Sequence, residues 1–562
     1  MSVIVSIARG HNGSTTLLID GEVVFYLEEE RLSRAKYDGD PLLGLQKVFD
    51  YVDYIDELLI CHTHRSGPIF EWTQESVYEG FVRKLARKKF EFKTHYIDNI
   101  HHEMHAACGY YNSGFKTAAC VIADGAGSFL KIGDINEPCY EFESIFKVNN
   151  HTEFETVYKH IGTKESIGYT EVEPEVHITE YPGLTKMYEA VTQYCGFRAI
   201  EAGKLMGLAS YGKPNDDLPN FFVDGWGSRN LIIPTYPNAA QINLSRYEII
   251  RKDHEQHDLN NSGKYTDIQK DLAYKVQEET SDRMVELIRK AHELTGETNI
   301  IICGGYGLNC VANYKYIKEF PDLNIYCEPI SHDGGTSIGA AKYHYAHSTG
   351  RIPESQSTVY YGPQYDPDTY LRDLNGIDVV DTSYKDIAKL IRDGNIVTIF
   401  QGKSEAGPRA LGNRSILFDP TIKDGKDIVN NVKHREWFRP FACSVLKEKV
   451  HDWFDLAGMD ESPSMMYAVE AKEETANIIP SVIHVDNTCR IQTVTEEQNK
   501  HYYNLIAEFE KLSDVPILFN TSFNLGGDPL VETIEDAIDT LRKSEIEYMY
   551  LPEIQKLAKV LN

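Results

Sequence analysis

The sequence predicts an α/β fold divided into two domains, and three observations support this prediction. Apolar runs of strand length end in glycine-rich turns at 117–127 (TAACVIADGAG) and 298–309 (TNIIICGGYGLN). Residues 265–295 place apolar side chains three and four positions apart, which is typical of an amphipathic helix. The 562 residues exceed the size of a single hydrophobic core and suit two or three domains. Strands that alternate with helices in this way predict α/β architecture.

The order of the elements follows from the same signals. The chain opens on two strand patterns, SVIVSIARG and TTLLIDGEVVFYLEEE, and Asp20-Gly21 between apolar runs predicts a hairpin. DELLICHTH predicts the next strand. Residues 349–366 lose periodicity and mix proline with polar residues, which favours a linker. We therefore place the domains at 1–352 and 353–562, the second containing DIAKLIRDGNIVTIFQG, DVPILFNTSFN and a closing helix.

Composition and charge narrow the classes of partner. Lys and Arg total 57 against 85 Asp and Glu, a formal charge of -28, which disfavours binding of long nucleic acids. The exception is the segment 83–93, in which basic residues are interleaved with aromatic ones. Such a segment either binds nucleic acid or forms a solvated helix face. Ten cysteines without a CxxC pair indicate reduced thiols and a cytoplasmic protein. We find no signal peptide and no membrane-spanning run.

A histidine pair and two aspartates predict a metal site. His101 and His105 are four positions apart in HHEMH, so on a helix they share one face. Asp124 and Asp333 each precede glycines, in VIADGAG and SHDGGTSIG, and a strand end faces the ligand cleft of such folds. Two imidazoles suit zinc or iron, and added carboxylates with an open position favour iron or another octahedral divalent ion. The alternative is that these histidines bind no ion.

The glycines of GGYGLNCVAN (304–313) suggest a nucleotide contact. Gly304 and Gly305 follow a strand and would let the backbone approach a phosphate or adenosine, with Asn309 as a polar contact. Lys204, in EAGKLMGLASYGKP, would neutralise a phosphate. Neither segment is a Walker motif, so a tight strand-to-helix turn and a surface lysine remain the alternative interpretations.

The last third of the chain concentrates cations among apolar residues and glycines. Burying a long cation is costly unless an anion meets it, and planar guanidinium groups bind phosphate or carboxylate in a bidentate manner. We therefore predict an oxyanion pocket that handles phosphate. The alternative is a set of internal salt bridges with Glu405, Glu436 and Asp419. The residues considered for the pocket are Arg409, Arg414, Lys433, Arg435, Arg439, Arg490, Asn520, Ser522 and Asn524.

Taken in order, these blocks resemble the nodulation-protein-U type O-carbamoyltransferases, a family that includes antibiotic-tailoring carbamoyltransferases. The resemblance spans residues from about 11 to 533 and rests on HNGSTTLLIDG, EEERLSRAK, HHEMHAA, ADGAG, KLMGLASYG, GGYGLNCVAN, SHDGGTSIGAA, GPRALGNRS, FRPFA, NTCRIQTV and FNTSFN. It implies an N-terminal actin/hexokinase-like (ASKHA) two-lobed domain, like that of the tRNA-threonylcarbamoylating metalloprotein. It also implies a C-terminal YrdC-like α/β domain.

The resemblance implies a reaction as well. In the family, the C-terminal domain cleaves carbamoyl phosphate and joins carbamate to ATP, used with Mg2+, which gives carbamoyl-adenylate and pyrophosphate. The N-terminal domain then transfers the carbamoyl group to a hydroxyl. The implied metal ligands are His101, His105, Asp124 and Asp333, with Fe2+ the expected ion. The implied nucleotide contacts are Gly304, Gly305, Asn309 and Lys204, and the implied carbamoyl phosphate and adenylate contacts are Arg409, Lys433, Arg439, Arg490, Asn520 and Ser522.

His11 stands where the family places a cleft histidine near the acceptor, and we expect it to orient or deprotonate the attacking hydroxyl. The family motif usually reads His-Asp-Ser, whereas this chain has His11-Asn12-Gly13, so a neighbouring carboxylate is missing.

The acceptor is the least determined part of the prediction. We expect a sugar or antibiotic-like small molecule, or a hydroxymethylated nucleotide or DNA base. Rival interpretations are a tRNA-threonylcarbamoylation enzyme and a non-catalytic nucleotide sensor. No membrane partner is expected. The sequence leaves the oligomeric state open, with a homodimer as one alternative.

Overall fold

The computed structural model describes residues 1–63, 75–86, 89–235, 239–256, 263–366 and 377–560. The chain divides into two compact units, the first formed by Met1–Val24 and Gly39–Gln356 and the second by Phe25–Asp38 and Ser357–Asn562. The segment Phe25–Asp38, which contains the short helix α1 (Glu29–Ser33), is therefore part of the second unit, although the sequence-based boundary of 1–352 put it in the first.

The first unit opens with a five-stranded sheet in the order β3-β2-β1-β4-β5. Strand β1 runs antiparallel to β2 and parallel to β4, and β5 lies parallel to β4 at the edge. The predicted hairpin is confirmed, because Asp20 and Gly21 both have positive φ (50° and 95°), as a tight two-residue turn requires. The five strands are β1 (Val3–Ala8), β2 (Ser14–Ile19), β3 (Glu22–Glu28), β4 (Glu57–Cys61) and β5 (Lys93–Ile97).

A second sheet of eight strands completes the first unit, in the order β10-β11-β9-β8-β6-β16-β17 with β7 paired to β8. Both glycine-terminated apolar runs are strands of this sheet, as predicted, and they lie side by side in parallel as β6 and β16. The strands of this sheet are β6 (Ala118–Ala123), β7 (Phe129–Leu130), β8 (Cys139–Asn150), β9 (Glu153–Thr163), β10 (Tyr169–Glu173), β11 (Val176–Thr179), β16 (Asn299–Cys303) and β17 (Asn324–Cys327). Two separate hairpins pair β12 (Phe222–Val223) with β13 (Trp226–Gly227) and β14 (Ile232–Thr235) with β15 (Ala239–Ile242).

The long helix predicted at 265–295 is confirmed as α8. It begins after Thr266, whose hydroxyl accepts a hydrogen bond from the Gln269 amide while the Gln269 side chain accepts one from the Thr266 amide. It ends at Gly296, which has a positive φ of 71°. The helices of this unit are α2 (Leu42–Val48), α3 (Glu75–Leu85), α4 (His101–Ser113), α5 (Leu184–Tyr194), α6 (Ala202–Ala209), α7 (Glu248–Gln256), α8 (Asp267–Thr295), α9 (Cys310–Glu319) and α10 (Gly335–Thr349).

Helices α4 and α10 pack closely against each other, and a glycine makes this approach feasible. A Cβ atom added to Gly339 of α10 would lie 2.0 Å from the carbonyl oxygen of Met104 in α4. The first turns of α4 carry the predicted histidine ligands, and the predicted ligand Asp333 lies just before α10. Close packing of these two helices therefore brings the predicted ligands toward each other.

We expect Gly339→Ala to destabilise the protein, because the new methyl group has no room beside the Met104 carbonyl. Overpacking of this kind costs about 1–3 kcal/mol, and the shift of α10 should also weaken metal retention at Asp333. Urea denaturation and the content of bound metal measure the two effects. Gly203→Ala is the matched control, because Gly203 lies on the exposed side of α6 and an added Cβ there meets nothing within 4 Å. A Gly339→Ala protein as stable as the control would contradict the packing.

The second unit is built on one sheet of ten strands, in the order β18-β27-β26-β19-β20-β25-β21-β24-β23-β22. The predicted closing helix exists as α16, but two further strands follow it and join the sheet, so the expectation that the chain ends in a helix was wrong. The strands are β18 (Ile377–Asp381), β19 (Val397–Phe400), β20 (Arg414–Phe418), β21 (Ala442–Leu446), β22 (Phe454–Asp455), β23 (Ala468–Ala471), β24 (Thr488–Val494), β25 (Ile517–Ser522), β26 (Tyr548–Leu551) and β27 (Lys556–Val560). The helices are α1 together with α11 (Tyr384–Arg392), α12 (Gly425–Val432), α13 (Val450–Trp453), α14 (Glu473–Ala476), α15 (Lys500–Ser513) and α16 (Ile534–Arg542).

Two expectations about the chain as a whole can be compared with the structure. Among the described residues, no helix has the length and apolar content needed to span a bilayer. All ten cysteines are buried and unbridged.

Candidate metal centre and anion pocket

The four predicted metal ligands come together in the first unit. His101 and His105 lie in the first two turns of α4, Asp124 directly follows β6, and Asp333 precedes α10. One donor atom from each of the four side chains lies within 4.8 Å of all the others, and three of the four residues are buried. The spacing of the histidines and the placement of the aspartates at element ends were the signals that identified this set.

The distances between donor atoms fit a single cation. The Nε2 atoms of His101 and His105 are 3.1 Å apart. His101 Nε2 lies 3.5 Å from one carboxylate oxygen of Asp124 and 3.5 Å from one of Asp333, and His105 Nε2 lies 3.6 Å from the same Asp333 oxygen. Ligands bound at about 2.1 Å around one ion are separated from each other by about 3 Å. Two imidazoles and two carboxylates thus form a donor set suited to a divalent metal.

The electrostatics of this cluster call for positive charge at its centre. Burial alone lowers the pKa of His101, but hydrogen bonds to Asp124 and Asp333 outweigh it and raise that pKa to about 10. Burial alone raises the pKa of Asp124 and of Asp333, yet the neighbouring histidines hold both pKa values below the ordinary range. The carboxylates are therefore ionised and require a compensating cation, which a proton or a metal ion supplies.

Asp124 is held in place by its own surroundings. The amide of Gly305 donates a hydrogen bond of 3.0 Å to its carboxylate, and the hydroxyl of Thr185 donates one of 2.5 Å to its carbonyl oxygen. Gly304 has a φ of 86°, and a Cβ there would lie 2.4 Å from the carbonyl oxygen of Ala123. Gly304 and Gly305 therefore have a structural task, which is to bring the turn after β16 against the end of β6.

His11 lies beside this cluster. Its Nε2 atom is 3.5 Å from Asp333, and its Nδ1 atom is 2.7 Å from the side-chain oxygen of Asn12. An amide oxygen only accepts hydrogen bonds, so Nδ1 carries the hydrogen and the Nε2 lone pair stays available. Asn12 thus orients the ring, and Asp333 supplies the carboxylate that the sequence lacks next to His11.

Two of the predicted nucleotide contacts already have partners within the first unit. Asn309 caps α9, since its side-chain oxygen accepts from the Ala312 amide at 3.2 Å, and its amide donates to Gln277. Lys204 forms an ion pair with Glu201 at 3.0 Å. These contacts neither place a nucleotide there nor prevent one from binding.

The second unit gathers cations with few acids to neutralise them. Lys433, at the end of α12, is buried and binds the carbonyl oxygen of Ser522, while its contact to the side-chain oxygen of Asn524 is 3.0 Å long. Arg435 donates to the Thr521 hydroxyl at 3.3 Å and stacks over the ring of Phe441. None of these partners carries a negative charge.

Five cations of the second unit are linked by charge repulsion, each with at least one other, and we call them the cation cluster: Lys36, Lys433, Arg435, Arg439 and Arg490. Burial lowers the pKa of Lys433, and the charges of Arg435, Arg439 and Lys36 lower it further. Burial likewise lowers the pKa of Arg435, and Arg439 and Arg490 add to that effect. The Nε atoms of Arg435 and Arg490 are buried without a hydrogen-bond partner among the described residues. Buried cations that lack neutralising acids destabilise the folded protein unless an anion binds to them.

The alternative of internal salt bridges holds for only part of the cations. Arg439 contacts Glu436 at 3.4 Å, and this carboxylate is the one acid that acts on both Arg435 and Arg439. Asp419 is paired with Arg392 instead. Glu405 accepts hydrogen bonds from the backbone amides of residues 411, 413 and 414.

Arg414 is a structural residue rather than part of the pocket. Its side chain is fully buried over the ring of Phe400 at 3.8 Å. Its guanidinium donates to the carbonyl oxygens of Gln401, Gly402, Asn413 and Glu532. It thereby closes the loop between β19 and β20.

The other predicted pocket residues differ in how free they are to bind a ligand. Ser522 donates to Asn524 at 2.7 Å next to Lys433. Asn520 is buried and donates to Ser444 at 2.9 Å, with its own side-chain oxygen left without a partner in the described part of the chain. Arg409 lies half-buried in the loop between β19 and β20.

Lys36 was missed by the sequence analysis. The motif EEERLSRAK contains it, but its distance from the C-terminal cations in the sequence gave no reason to group them. In the structure Phe25–Asp38 belongs to the second unit, and burial together with Arg31 and Arg439 lowers the pKa of Lys36. The three basic residues of that motif, Arg31, Arg34 and Lys36, were the available signal.

The basic segment 83–93 is described only in part, since Arg87 and Lys88 lie outside the described residues. Arg83 is half-exposed, stacks over Phe92 at 4.7 Å and lies 4.0 Å from Glu91. These local contacts fit a solvated face and give no indication of a nucleic-acid site.

Comparison with known proteins gives matches along most of the chain. The family model described as carbamoyltransferase N-terminus matches residues 66–342, and the one described as carbamoyltransferase C-terminus matches residues 388–556. The metal ligands fall within the first match, and the cation cluster apart from Lys36 falls within the second.

Two named relatives and one solved structure illustrate the similarity. Nodulation protein NolNO of Sinorhizobium fredii is 30% identical, over 96% of this chain and 77% of that protein. The 3'-hydroxymethylcephem-O-carbamoyltransferase of Streptomyces clavuligerus is 30% identical, over 63% of this chain and 64% of that protein. Full-length HypF in its phosphate- and nucleotide-bound form aligns with 62% of this chain and 56% of its own, at 11% identity and a TM-score of 0.38.

Proposed function

The chain belongs to the carbamoyltransferase family and is a transferase, and from this premise we propose that it forms carbamoyl-adenylate from carbamoyl phosphate and ATP and then carbamoylates a hydroxyl group. The observation that carries the proposal is the cation cluster. Among the described residues, Glu436 is the carboxylate that acts on Arg435 and Arg439, Glu30 and Glu28 act on Lys36, and no carboxylate is among the charges that shift the pKa of Lys433.

The first step of the proposed reaction, formation of carbamoyl-adenylate, takes place in the second unit. Water converts carbamoyl phosphate into carbamate and inorganic phosphate. A carbamate oxygen then attacks the α-phosphorus of ATP, and pyrophosphate leaves with the electrons of the broken P–O bond. Both substrates are polyanions, and ATP brings Mg2+. Lys433 and Arg439 stabilise the charge that develops on the phosphates, and Arg409, Arg490, Asn520 and Ser522 bind the donor and the adenylate.

The second step of the proposed reaction, transfer of the carbamoyl group, takes place in the first unit. The acceptor oxygen attacks the carbamoyl carbon, AMP departs, and the hydroxyl proton passes to Nε2 of His11. The hydrogen bond from His11 Nδ1 to Asn12 leaves Nε2 free to take the proton, and Asp333 at 3.5 Å stabilises the resulting imidazolium. The segment with Gly304, Gly305, Asn309 and Lys204 is our proposed contact for the nucleotide.

The residues at the metal centre fit a divalent ion, and we propose Fe2+ because the donor set combines imidazoles with carboxylates. His101, His105, Asp124 and Asp333 would hold it. When bound, such an ion supplies a positive charge that polarises an oxygen ligand.

The acceptor is proposed from the chemistry of a relative. The name of the Streptomyces clavuligerus enzyme denotes transfer to the oxygen of a hydroxymethyl group. We infer that the present enzyme also modifies a hydroxyl of a sugar or antibiotic-like small molecule, with a hydroxymethylated nucleotide or DNA base as the second class. Mass spectrometry of candidate acceptors, with a gain of one carbamoyl group as the readout, identifies it.

Release of pyrophosphate tests the donor half of the proposal. We expect iron-loaded enzyme with ATP and Mg2+ to release pyrophosphate only when carbamoyl phosphate is present. A reaction without carbamoyl phosphate is the control for ATP hydrolysis. AMP should appear in addition once a suitable acceptor is supplied. Absence of pyrophosphate with both substrates present contradicts carbamoyl-adenylate formation, and a carbamoyl mass gain on tRNA would favour the rival threonylcarbamoylation chemistry.

A further inference from the structure

A second cluster of potential metal ligands lies in the first unit, apart from the centre described above. It consists of Glu57 at the start of β4, His95 on the edge strand β5, and His344 on α10. One donor atom from each side chain lies within 4.8 Å of the other two. These residues come from three distant parts of the sequence, so their meeting is a property of the fold.

The sheet and the helix explain how the three side chains converge. Glu57 pairs with Lys93 and Leu59 pairs with His95 across the parallel strands, so Glu57 and His95 are diagonal neighbours on one face. Helix α10 packs against this sheet and adds His344. The side chains of Glu57, His95 and His344 are 21%, 34% and 18% exposed, which leaves the cluster half-buried and open to ions from solvent.

Both histidines direct their Nε2 atoms at one carboxylate oxygen of Glu57, and the contact from His344 is a hydrogen bond. The Nε2 atoms of His95 and His344 both lie 2.6 Å from the same carboxylate oxygen of Glu57, and the two rings are 4.5 Å apart. The Nε2 atom of His95 is buried, yet it makes no hydrogen bond of acceptable direction with any described residue. A cation bound by both groups would satisfy this nitrogen and the anionic oxygen, with the 2.6 Å contact widening to the roughly 3 Å that separates two ligands of one ion.

We propose that Glu57, His95 and His344 form a second metal site that binds Zn2+ or a similar divalent cation through two imidazoles and one carboxylate. This donor set leaves a fourth position for water, as in zinc sites of open coordination. The site is distinct from the first one: Asp333 precedes α10, whereas His344 lies in the third turn of that helix, roughly 15 Å farther along its axis. A bound ion would fasten the edge strand β5 to α10, the helix that follows Asp333. The alternative is a hydrogen-bonded triad without metal.

Zinc stoichiometry separates the two interpretations. Full-length protein is stripped with a chelator, equilibrated with excess Zn2+, freed of unbound metal and analysed by inductively coupled plasma mass spectrometry. We expect two zinc ions per chain in the unchanged protein, one in the His95→Ala/His344→Ala variant, and one in the His101→Ala/His105→Ala variant. His347→Ala, which alters a more exposed histidine one turn along α10, should retain two.

A conservative variant keeps the test decisive if the double alanine variant fails to fold. Glu57→Gln preserves the size and hydrogen-bonding capacity of the side chain but removes its charge. We expect calorimetric titration with Zn2+ to show at least about tenfold weaker binding at one of two sites. The proposal is overturned if Glu57→Gln binds zinc as the unchanged protein does, or if the unchanged protein binds a single zinc ion that is lost in His101→Ala/His105→Ala.

Discussion

Replacing Arg435 with methionine is expected to lower the rate of pyrophosphate release by at least about a hundredfold, the typical cost of removing one group that stabilises a developing oxyanion. The same change should leave the thermal unfolding midpoint unchanged or raise it. Arg435 is buried beside Arg439 and Arg490, and its Nε atom has no partner among the described residues. Its removal relieves the burial of a charge and the repulsion from two arginines, which offsets the loss of the Thr521 hydrogen bond, the stacking on Phe441 and the attraction to Glu436. The anion then loses one of its binding groups.

The opposite response of a paired arginine provides the control. Arg392 forms a salt bridge of 2.7 Å with the buried Asp419 and lies outside the cation cluster. Arg392→Met should lower the unfolding midpoint, because it leaves a buried carboxylate unpaired, and should change pyrophosphate release little. Adding inorganic phosphate should raise the midpoint of the unchanged protein more than that of Arg435→Met. If Arg435→Met loses stability and keeps its activity, Arg435 is a structural residue and the pocket is wrongly placed.

Local signals in the sequence were enough to predict many of the elements. The Asp20-Gly21 turn and the apolar spacing at 265–295 each depend on residues only a few positions apart, so the elements that they predict depend little on the rest of the chain. The end of the chain shows the limit of this approach. The strand Lys556–Val560 pairs with its sequence neighbour β26 and also with β18, which lies far earlier in the sequence.

The cluster of potential metal ligands could be predicted because its sequence signals are local and the geometry of a helix is regular. His101 and His105 share a helix face by spacing alone, and Asp124 and Asp333 stand at the ends of elements that face a cleft. The roles of the arginines could not be predicted in the same way. Arg414 and Arg435 both lie among apolar residues, and only the tertiary structure shows that four carbonyl oxygens bind the first while the second lacks an acidic partner of its own.

Lys36 and the cluster of Glu57, His95 and His344 show why long-range partners escape a linear search. Lys36 lies about 400 positions before Lys433, in a segment that the fold assigns to the second unit. His344 and Glu57 come from elements that are nearly 300 positions apart. In neither case does the spacing of residues along the chain carry the information, because the packing of whole elements creates the site.

Replacing His105 with alanine is expected to abolish transfer of the carbamoyl group, with a loss of at least about a thousandfold, while pyrophosphate release changes little. His105 belongs to the first unit, and its side chain is 1% exposed within the metal cluster. Its loss removes one of four donors and should lower the content of bound iron by one ion per chain. AMP release in the presence of hydroxyl acceptors measures transfer, and pyrophosphate measures activation, so the two halves of the reaction are read separately.

His102 offers a control on the same helix. Burial lowers its pKa to about 4, and its Nδ1 atom is 2.8 Å from the Ser144 hydroxyl, so it faces away from the metal donors. His102→Asn can keep that hydrogen bond, and we expect it to retain both the iron and the transfer reaction even where stability falls. Because His105→Ala and His102→Asn both alter the buried side of α4, a loss of transfer in only the first identifies the metal set as the cause. Loss of pyrophosphate release in His105→Ala would show that activation also depends on the metal centre, and would refute the assignment of the two steps to separate units.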